Sequence, residues 1–411
     1  MYENELIPHL FRTEYRKIVS VLVKLFGIEY MENAEDIASD TFLLASETWG
    51  LKGLPQNPTA WLYKVSKNKA RDFLKHNAIF TDKIALEIKR AETSAEEPEI
   101  DLSKTNIIDS QLQMMFAICH PGISTEAQIG LSLSILCGFG VEEIADAFLT
   151  NKDTIYKRLT RAKDKLRNEK VKIEFPQITE ITNRLETVLT TLYLLFSEGY
   201  YSTSQNMTLR KDLCAEAMRL NKMLLDYMPT NTPPANALFA LMCFHASRFE
   251  ARINQNGDLV LYDDQDETLW NKELIQKGNY YLNQASTGNE LTKYHLEAAI
   301  AYWHTLKNDT HEKWENILQL YNKLLRLEYS PVAALNRTYA LSKANGKQEA
   351  IAEAEKLSLS ENHFYHSLLA NLYTGINNEK ALQHLDIALA LAKTSAEQTI
   401  IKNTISRLLS L

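Results

Sequence analysis

The sequence predicts an all-α protein, and three observations carry that prediction. Only 13 glycines and 10 prolines punctuate 411 residues, too few for the turns of a strand-rich chain. Leu, Ala, Glu and Lys abound instead, residues that lose little on entering a helix. Where apolar residues recur, as at Ile155, Leu159, Ala162 and Leu166, they do so every three or four positions, the spacing of a one-sided helix. With 45% hydrophobic and 24% charged residues the composition is that of an ordinary globular protein, and the length allows two to four domains.

Several function classes are disfavoured at once. The four cysteines, Cys119, Cys137, Cys214 and Cys243, form no CxxC pair, so neither a disulfide framework nor a zinc knuckle is expected, and a reducing cytoplasmic setting is. The opening "MYENELIPHLFRTEYRK" lacks the basic-then-apolar layout of a signal peptide. No run of 18 apolar residues predicts a membrane span. Neither a phosphate-binding loop, a dinucleotide fingerprint, a zinc-protease motif nor a nucleophile elbow occurs, so no enzyme, cofactor or metal is expected.

Four blocks emerge along the chain. Residues 1–80 read as helices around a proline-containing loop, "WGLKGLPQNPTAW". Residues 81–108 lose apolar periodicity, hold seven Asp/Glu against four Lys/Arg, and read as a tether with one short helix at its start. Residues 109–172 regain helical patterning. Residues 173–411 form a long helical array in which "SPVAALNRTYALSKANGKQEAIAEAEKL" and "NHFYHSLLANLYTGINNEKALQHLDIALAL" each read as a helical hairpin. Ala350 and Ala381 follow the two turns, and small residues there let paired helices pack closely, as in tetratricopeptide-like solenoids.

The most informative stretch is "VEEIADAFLTNKDTIYKRLTRAKDKLR", residues 141–167. It reads as two short helices joined by a tight turn, with Thr150 as the expected cap of the second. Ile155, Leu159, Ala162 and Leu166 face a core, leaving Lys152, Thr154, Lys157, Arg158, Arg161 and Lys163 outward. Residues 151–172 carry nine Lys/Arg against three Asp/Glu in a chain whose net charge is -7. That is the layout of a helix-turn-helix, whose second helix enters the major groove while its later cations hold phosphates. A solvated amphipathic helix has the same pattern.

A second basic helix is predicted over "NPTAWLYKVSKNKARDFLKH", residues 57–76, with Pro58 at its first position. Trp61, Lys64, Lys67, Asn68, Lys69, Arg71 and Lys75 suit a single strand whose bases stack on an aromatic ring while cations hold the backbone. Between the first helix and this one lies "EYMENAEDIASDTFLLASE", residues 29–47, with six carboxylates and no Lys or Arg. Ile37, Phe42 and Leu44 are expected in a core; Glu35, Asp36 and Asp40 stay exposed, where they would repel DNA and attract a basic protein surface.

The order "NAEDIASDTFLLA", then "NPTAWLYKVSKNKARDFLKH", then a tether, then the helix-turn-helix resembles the extracytoplasmic-function (ECF) group of sigma-70 RNA polymerase initiation factors. "DTIYKRLTRAKDKLR" parallels that group's usual TVxxRLxRAxxxL run. The resemblance implies a sigma region 2 helical bundle over 1–80, a flexible linker over 81–108 running through the polymerase RNA-exit path, and a region 4 helix-turn-helix over 109–172. It further implies that Glu35, Asp36, Asp40 and Phe42 dock on the β′ clamp helices of core RNA polymerase. The basic residues of 57–76 would then melt and read the −10 promoter element, and those of 150–167 read the −35 element beside the β flap. Tyr156 and Lys157 depart from the pairs usual there, so the promoter preference does not transfer.

"MMFAICHPGISTEAQIGLSLSILCGFGVEEIADAFL", "LYLLFSEGYY", "ARINQNGDLVLYDDQDETLW" and "SPVAALNRTYAL" resemble the subgroup of these factors that bears a C-terminal helical, tetratricopeptide-like extension. In that light 173–411 is a regulatory domain acting in cis, with a protein or small ligand as its partner. Arg252, Gln265, Asp266 and Trp270 are then members of a buried polar junction, preferred over a calcium loop because the acids lack EF-hand spacing. A short-strand turn is expected at Asn256-Gly257, and Cys119-His120 is read as a turn rather than a metal site. Two other classes fit parts of the pattern: a conventional helix-turn-helix regulator with a ligand-sensing helical domain, and a tetratricopeptide-type scaffold with a vestigial sigma module.

Overall fold

Six consecutive buried residues, Ile18, Val19, Ser20, Val21, Leu22 and Val23, set the frame of the N-terminal half. They lie in α1 (Glu3–Phe26) of the computed structural model, which describes residues 3–76, 100–148, 150–201, 207–253 and 260–410. A helix buried at successive positions has no wet stripe, so partners must cover it all round. On one side these are α2 (Met31–Lys52) and α3 (Pro58–His76). On the other they are α4 (Lys104–Ile118) and a π-helical turn, Ser132–Cys137. The segments before and after the predicted tether thus close on one helix.

The tether itself is shorter than expected at its far end. Ile100 and Leu102 are buried and α4 already begins at Lys104, capped by Ser103; the acidic residues that suggested a tether stop at Asp101. The short helix expected at its start falls in 77–99, outside the described residues. Beyond α4, Cys119 is buried at the helix end and His120 accepts the Gly122 N–H in the turn. α5 (Thr125–Leu131) runs into the π turn, and α6 (Val141–Ala147) and α7 (Lys152–Asn168) are the two consecutive helices where a helix-turn-helix was expected. The cap of α7 is Asn151 rather than Thr150. Its side chain takes the Thr154 N–H at 2.8 Å, and the Thr150 N–H is already bonded to Ala145 O.

The first compact unit runs Met1–Thr230. It therefore also holds α8 (Ile178–Tyr201) and α9 (Met207–Asp226), which the sequence reading assigns to the extension. α8 packs on α4 and α5, and α9 on α4 and α6. The glycine of "LFSEGYY" permits the α8–α9 contact, because a Cβ on Gly199 would meet Arg210 O and Cys214 Sγ at 2.7 Å.

The second unit, Asn231–Leu411, is built from α10 (Pro233–Ser247), α11 (Lys272–Ala285), α12 (Lys293–Trp303), α13 (His311–Leu327), α14 (Pro331–Ala344), α15 (Lys347–Lys356), α16 (His363–Tyr373), α17 (Asn378–Leu391) and α18 (Ser395–Leu409). From α13 onward each helix packs on the next in the chain. Ala350 and Ala381 are both fully buried where α15 and α17 meet their neighbours. The turn expected at Asn256-Gly257 lies outside the described residues, and those described contain no strand. No described helix is long and apolar enough to cross a membrane.

Two outcomes follow from this packing. Gly199→Ala gains about 1 kcal/mol of helix propensity but drives a Cβ into an unyielding backbone carbonyl, an overpacking cost of about 1–3 kcal/mol. A net loss in urea-unfolding stability is expected, and a stabilised variant would contradict the close contact. Burial holds His304 down to about 3 and lowers His245, His295 and His384 below their ordinary value. The unfolded chain therefore takes up protons first, and stability is complete above about pH 7 and falls as pH drops through 6.5. The slope is about 1.4 kcal/mol per pH unit for His304, and less for the more exposed His295 and His384. Urea midpoints at pH 7.5 and 5.5 measure this, and equal midpoints would refute it.

Candidate nucleic-acid and polymerase interface

α2 carries the acidic face. Asp36 and Asp40 are exposed, as expected, with Glu32, Leu43, Leu44, Glu47 and Leu51 along the same side. Leu44 was expected inside but lies on the surface, and Leu43 and Leu51 are 60% and 88% exposed. A stripe of leucines among carboxylates fits a protein partner better than water alone. Those leucines were missed by sequence reasoning, although their spacing with Asp36 and Asp40 was visible. Phe42 does not belong to the face. It is 4% exposed, edge-on to Phe11, because the register that turns Asp36 and Asp40 outward turns Phe42 into the core.

α3 presents its cations beside that helix. Lys64, Asn68 and Lys75 are exposed, while Lys67, Lys69 and Arg71 are half-buried. Lys69 pairs with Asp40 at 3.1 Å, and the Arg71 Nε is sealed from solvent. Trp61 packs edge-to-face on Trp49 at 5.4 Å between ring centres, so its ring is anchored at one edge and half open at the other. Tyr63 donates its hydroxyl proton to Glu14 at 2.6 Å, fixing α3 on α1.

α7 divides its residues as the periodicity predicts: Ile155, Leu159, Ala162 and Leu166 are buried, and Lys152, Thr154, Lys157 and Arg161 are exposed. An open groove of about 430 Å³ runs between α7 and the turn before α5, lined by Ser124, Thr154, Lys157, Arg158, Arg161 and Lys165. The other flank of the α7 start is a hollow of about 570 Å³ beside Glu142, Glu143, Asp153 and Tyr156. The two flanks thus differ in sign. Arg158 lies across the Phe148 ring at 5.5 Å, so part of its contact area serves the helix-turn-helix itself.

Lys163 departs from the sequence expectation of an outward cation. Its ammonium reaches Glu35 of α2 at 2.6 Å, and the two side chains are only 13% and 18% exposed. Arg167 reaches Glu32 at 3.5 Å. Burial raises the Glu35 carboxyl above its ordinary value, against the opposing pull of Lys163. The close pairing of these residues was invisible in the sequence, where they lie 128 positions apart.

In the second unit the predicted junction is partly a different set. Gln265 and Trp270 are buried, but Asp266 sits at the surface and only caps a short turn, accepting the Thr268 N–H at 2.9 Å. Arg252 is half-buried, its carbonyl taking the Val260 N–H at 2.7 Å. The organising group is Lys313, 1% exposed, which donates to Leu306 O at 2.6 Å and Tyr262 Oη at 3.0 Å. Burial pulls its ammonium down to about 8. Lys307 donates to the carbonyls of Tyr262, Asp263 and Gln265, and Arg248 lies over the Tyr262 ring. Lys307, just after α12, and Lys313 of α13 thus hold the Tyr262–Gln265 stretch in place. Their role is invisible in sequence, where both read as surface lysines.

Two family models match the chain. Sigma-70 region 2 covers residues 10–78, the span of α1, α2 and α3, and a family of unknown function, DUF6596, covers residues 184–286. The uncharacterized protein R00370 of Rhizobium meliloti (strain 1021) is 32% identical over 392 residues, 93% of this chain and 92% of the rhizobial one. No solved structure matches. The chain belongs to one family with this rhizobial protein and, through its region 2, is a sigma-70 family factor of transcription initiation.

Proposed function

We propose that the chain is an ECF-type sigma factor whose α7 reads the −35 element, whose α3 opens and holds the −10 element, and whose α2 docks on the β′ clamp helices of core polymerase. The observation that supports this best is the segregation of charge: two basic helices flank one acidic, leucine-bearing helix. A free-standing DNA reader has no use for such a face, since carboxylates beside a phosphate backbone repel it. The opposite signs of the two α7 flanks also favour one approach: DNA enters along Lys157 and Arg161, away from Glu142, Glu143 and Asp153.

The second unit is proposed to regulate initiation in cis as a tetratricopeptide-like array. Two consecutive helical hairpins, α14–α15 and α16–α17, with Ala350 and Ala381 buried at equivalent places, support that reading. Its partner is a protein or a small ligand, and the helical junction around Lys313 is read as scaffold. A truncation that asks about regulation belongs after Thr230. A cut near residue 175 strips α8 and α9 from the core of the first unit and confounds regulation with unfolding.

In vitro transcription with purified core polymerase tests the main reading. The full chain is expected to bind core enzyme and initiate at a cognate promoter; absence of both, or tight binding to duplex DNA without polymerase, would refute it. Arg161→Ala, a fully surface change, is expected to lower −35-dependent initiation by about 5- to 100-fold, the range of one lost base or strong phosphate contact, with thermal stability unchanged. Leu43→Asp with Leu51→Asp is expected to weaken core binding at least about tenfold while leaving the fold intact, since each side chain is already in water. Unaltered binding would move the docking face elsewhere.

A further inference from the structure

The junction of the second unit holds one charge that its scaffold does not use. Lys307 and Lys313 are spent on backbone carbonyls and the Tyr262 hydroxyl. Lys343 is spent on Asp309 at 3.2 Å, and the same carboxylate accepts the Trp314 Nε1–H. Arg248, just after α10, is different. It is 8% exposed, its guanidinium lies over the Tyr262 ring at 5.4 Å, and no described carboxylate pairs with it. Its Nε is sealed from solvent and has no hydrogen-bond partner among the described residues.

An arginine stays protonated at any pH a folded protein meets. Taking such a charge out of water without an anion is costly, and one aromatic face offsets only part of that cost. The neighbours make it worse. The ammonium groups of Lys307 and Lys313 come within 5.2 and 5.1 Å of the centre of the same ring. Burial first, and then the charges of Arg248 and Lys313, hold His304 down to about 3. The acids of this region are committed elsewhere or in water: Asp309 to Lys343, Asp264 to Arg407 at 3.6 Å, and Asp263 exposed.

A second buried donor is left over beside it. Trp270 is 3% exposed, and its Nε1–H is sealed without an acceptor among the described residues. Its ring centre lies 6.3 Å from that of Tyr262. Buried donors without acceptors are rare in folded proteins, and two around one ring call for a common cause. Tyr262 and Lys307 are only half-buried, so the cluster reaches the surface.

We propose that Arg248 and Trp270, with Lys307 beside Tyr262, form a binding site for a small oxyanion, the carboxylate or phosphate group of a ligand. The guanidinium fork matches two oxygens of either group, and the indole N–H supplies a further donor. Lys307, whose three protons already go to carbonyls, adds charge alone. The anion thereby completes a junction that the protein's own side chains leave short of negative charge. That such a ligand acts on initiation rests on the sigma reading; the site itself does not, and its test uses the free chain.

Thermal unfolding of the full-length chain decides it, with sodium phosphate or sodium benzoate titrated at an ionic strength held constant by sodium chloride. The wild-type midpoint is expected to rise and saturate with at least one of the two anions, since a ligand that binds only the folded state stabilises it by mass action. A response to phosphate alone assigns a phosphoryl group, and one to benzoate alone a carboxylate. Arg248→Met is expected to shift the response to at least about tenfold higher anion concentration, the loss of a hydrogen bond to a charged group. Arg248→Lys, which keeps the charge but not the fork, is expected to shift it at least about fivefold. No saturable rise with either anion would overturn the site. An equal rise in wild type and Arg248→Met marks an adventitious ion only and overturns it as well. Should Arg248→Met not fold, Trp270→Phe, which removes one donor and keeps an aromatic ring, carries the test, and an undiminished response there sinks the proposal.

Discussion

The first unit depends on a helix with no free side. Between Ile18 and Val23 every residue of α1 is buried, and a helix can bury successive positions only if partners enclose it. α2 and α3 supply half of that enclosure and α4 with the π turn supply the rest. Burying an apolar side chain contributes about 1.5–3 kcal/mol, so a short run of this kind outweighs any surface ion pair nearby. Shape follows apolar burial, and the ion pairs decorate the arrangement that burial selects.

Charge then acts locally. The chain nets -7, yet its acids and bases are sorted by helix, with six carboxylates and no cation over residues 29–47 and nine cations against three acids over 151–172. Such sorting costs repulsion within each helix and recovers it when unlike helices meet. In the first unit Lys163 of α7 meets Glu35 of α2 directly, and this desolvated pair is tolerable only because each partner satisfies the other. The proposed function draws on the same charges as these intramolecular pairs.

Much of this was legible in the sequence. The all-helical class, the bounds of α3 from Pro58, the buried face of α7 and the buried alanines at 350 and 381 all follow from local periodicity and propensity. The order of acidic helix, basic helix, tether and helix-turn-helix identified the sigma-70 likeness before any coordinates. Less legible was whether a given charged residue faces solvent. Lys163 read as one more outward cation and Asp266 as a junction member, because sequence records the type of a side chain but not what lies opposite. Lys307 and Lys313 were overlooked for the same reason: lysines satisfied by the carbonyls or hydroxyl of a distant segment look like surface lysines.

The sequence alone determined secondary structure, the sign of each helix and membership of the sigma-70 family, since these depend on residues within a few positions of one another. Only the tertiary structure decided that Leu43, Leu44 and Leu51 are surface, that α8 and α9 belong with the helix-turn-helix half, and that Lys163 of α7 meets Glu35 of α2. Each of those outcomes depends on the competition among long-range contacts for the faces of α1. A local pattern specifies that a face must be buried, and the partner that buries it is chosen by the whole chain.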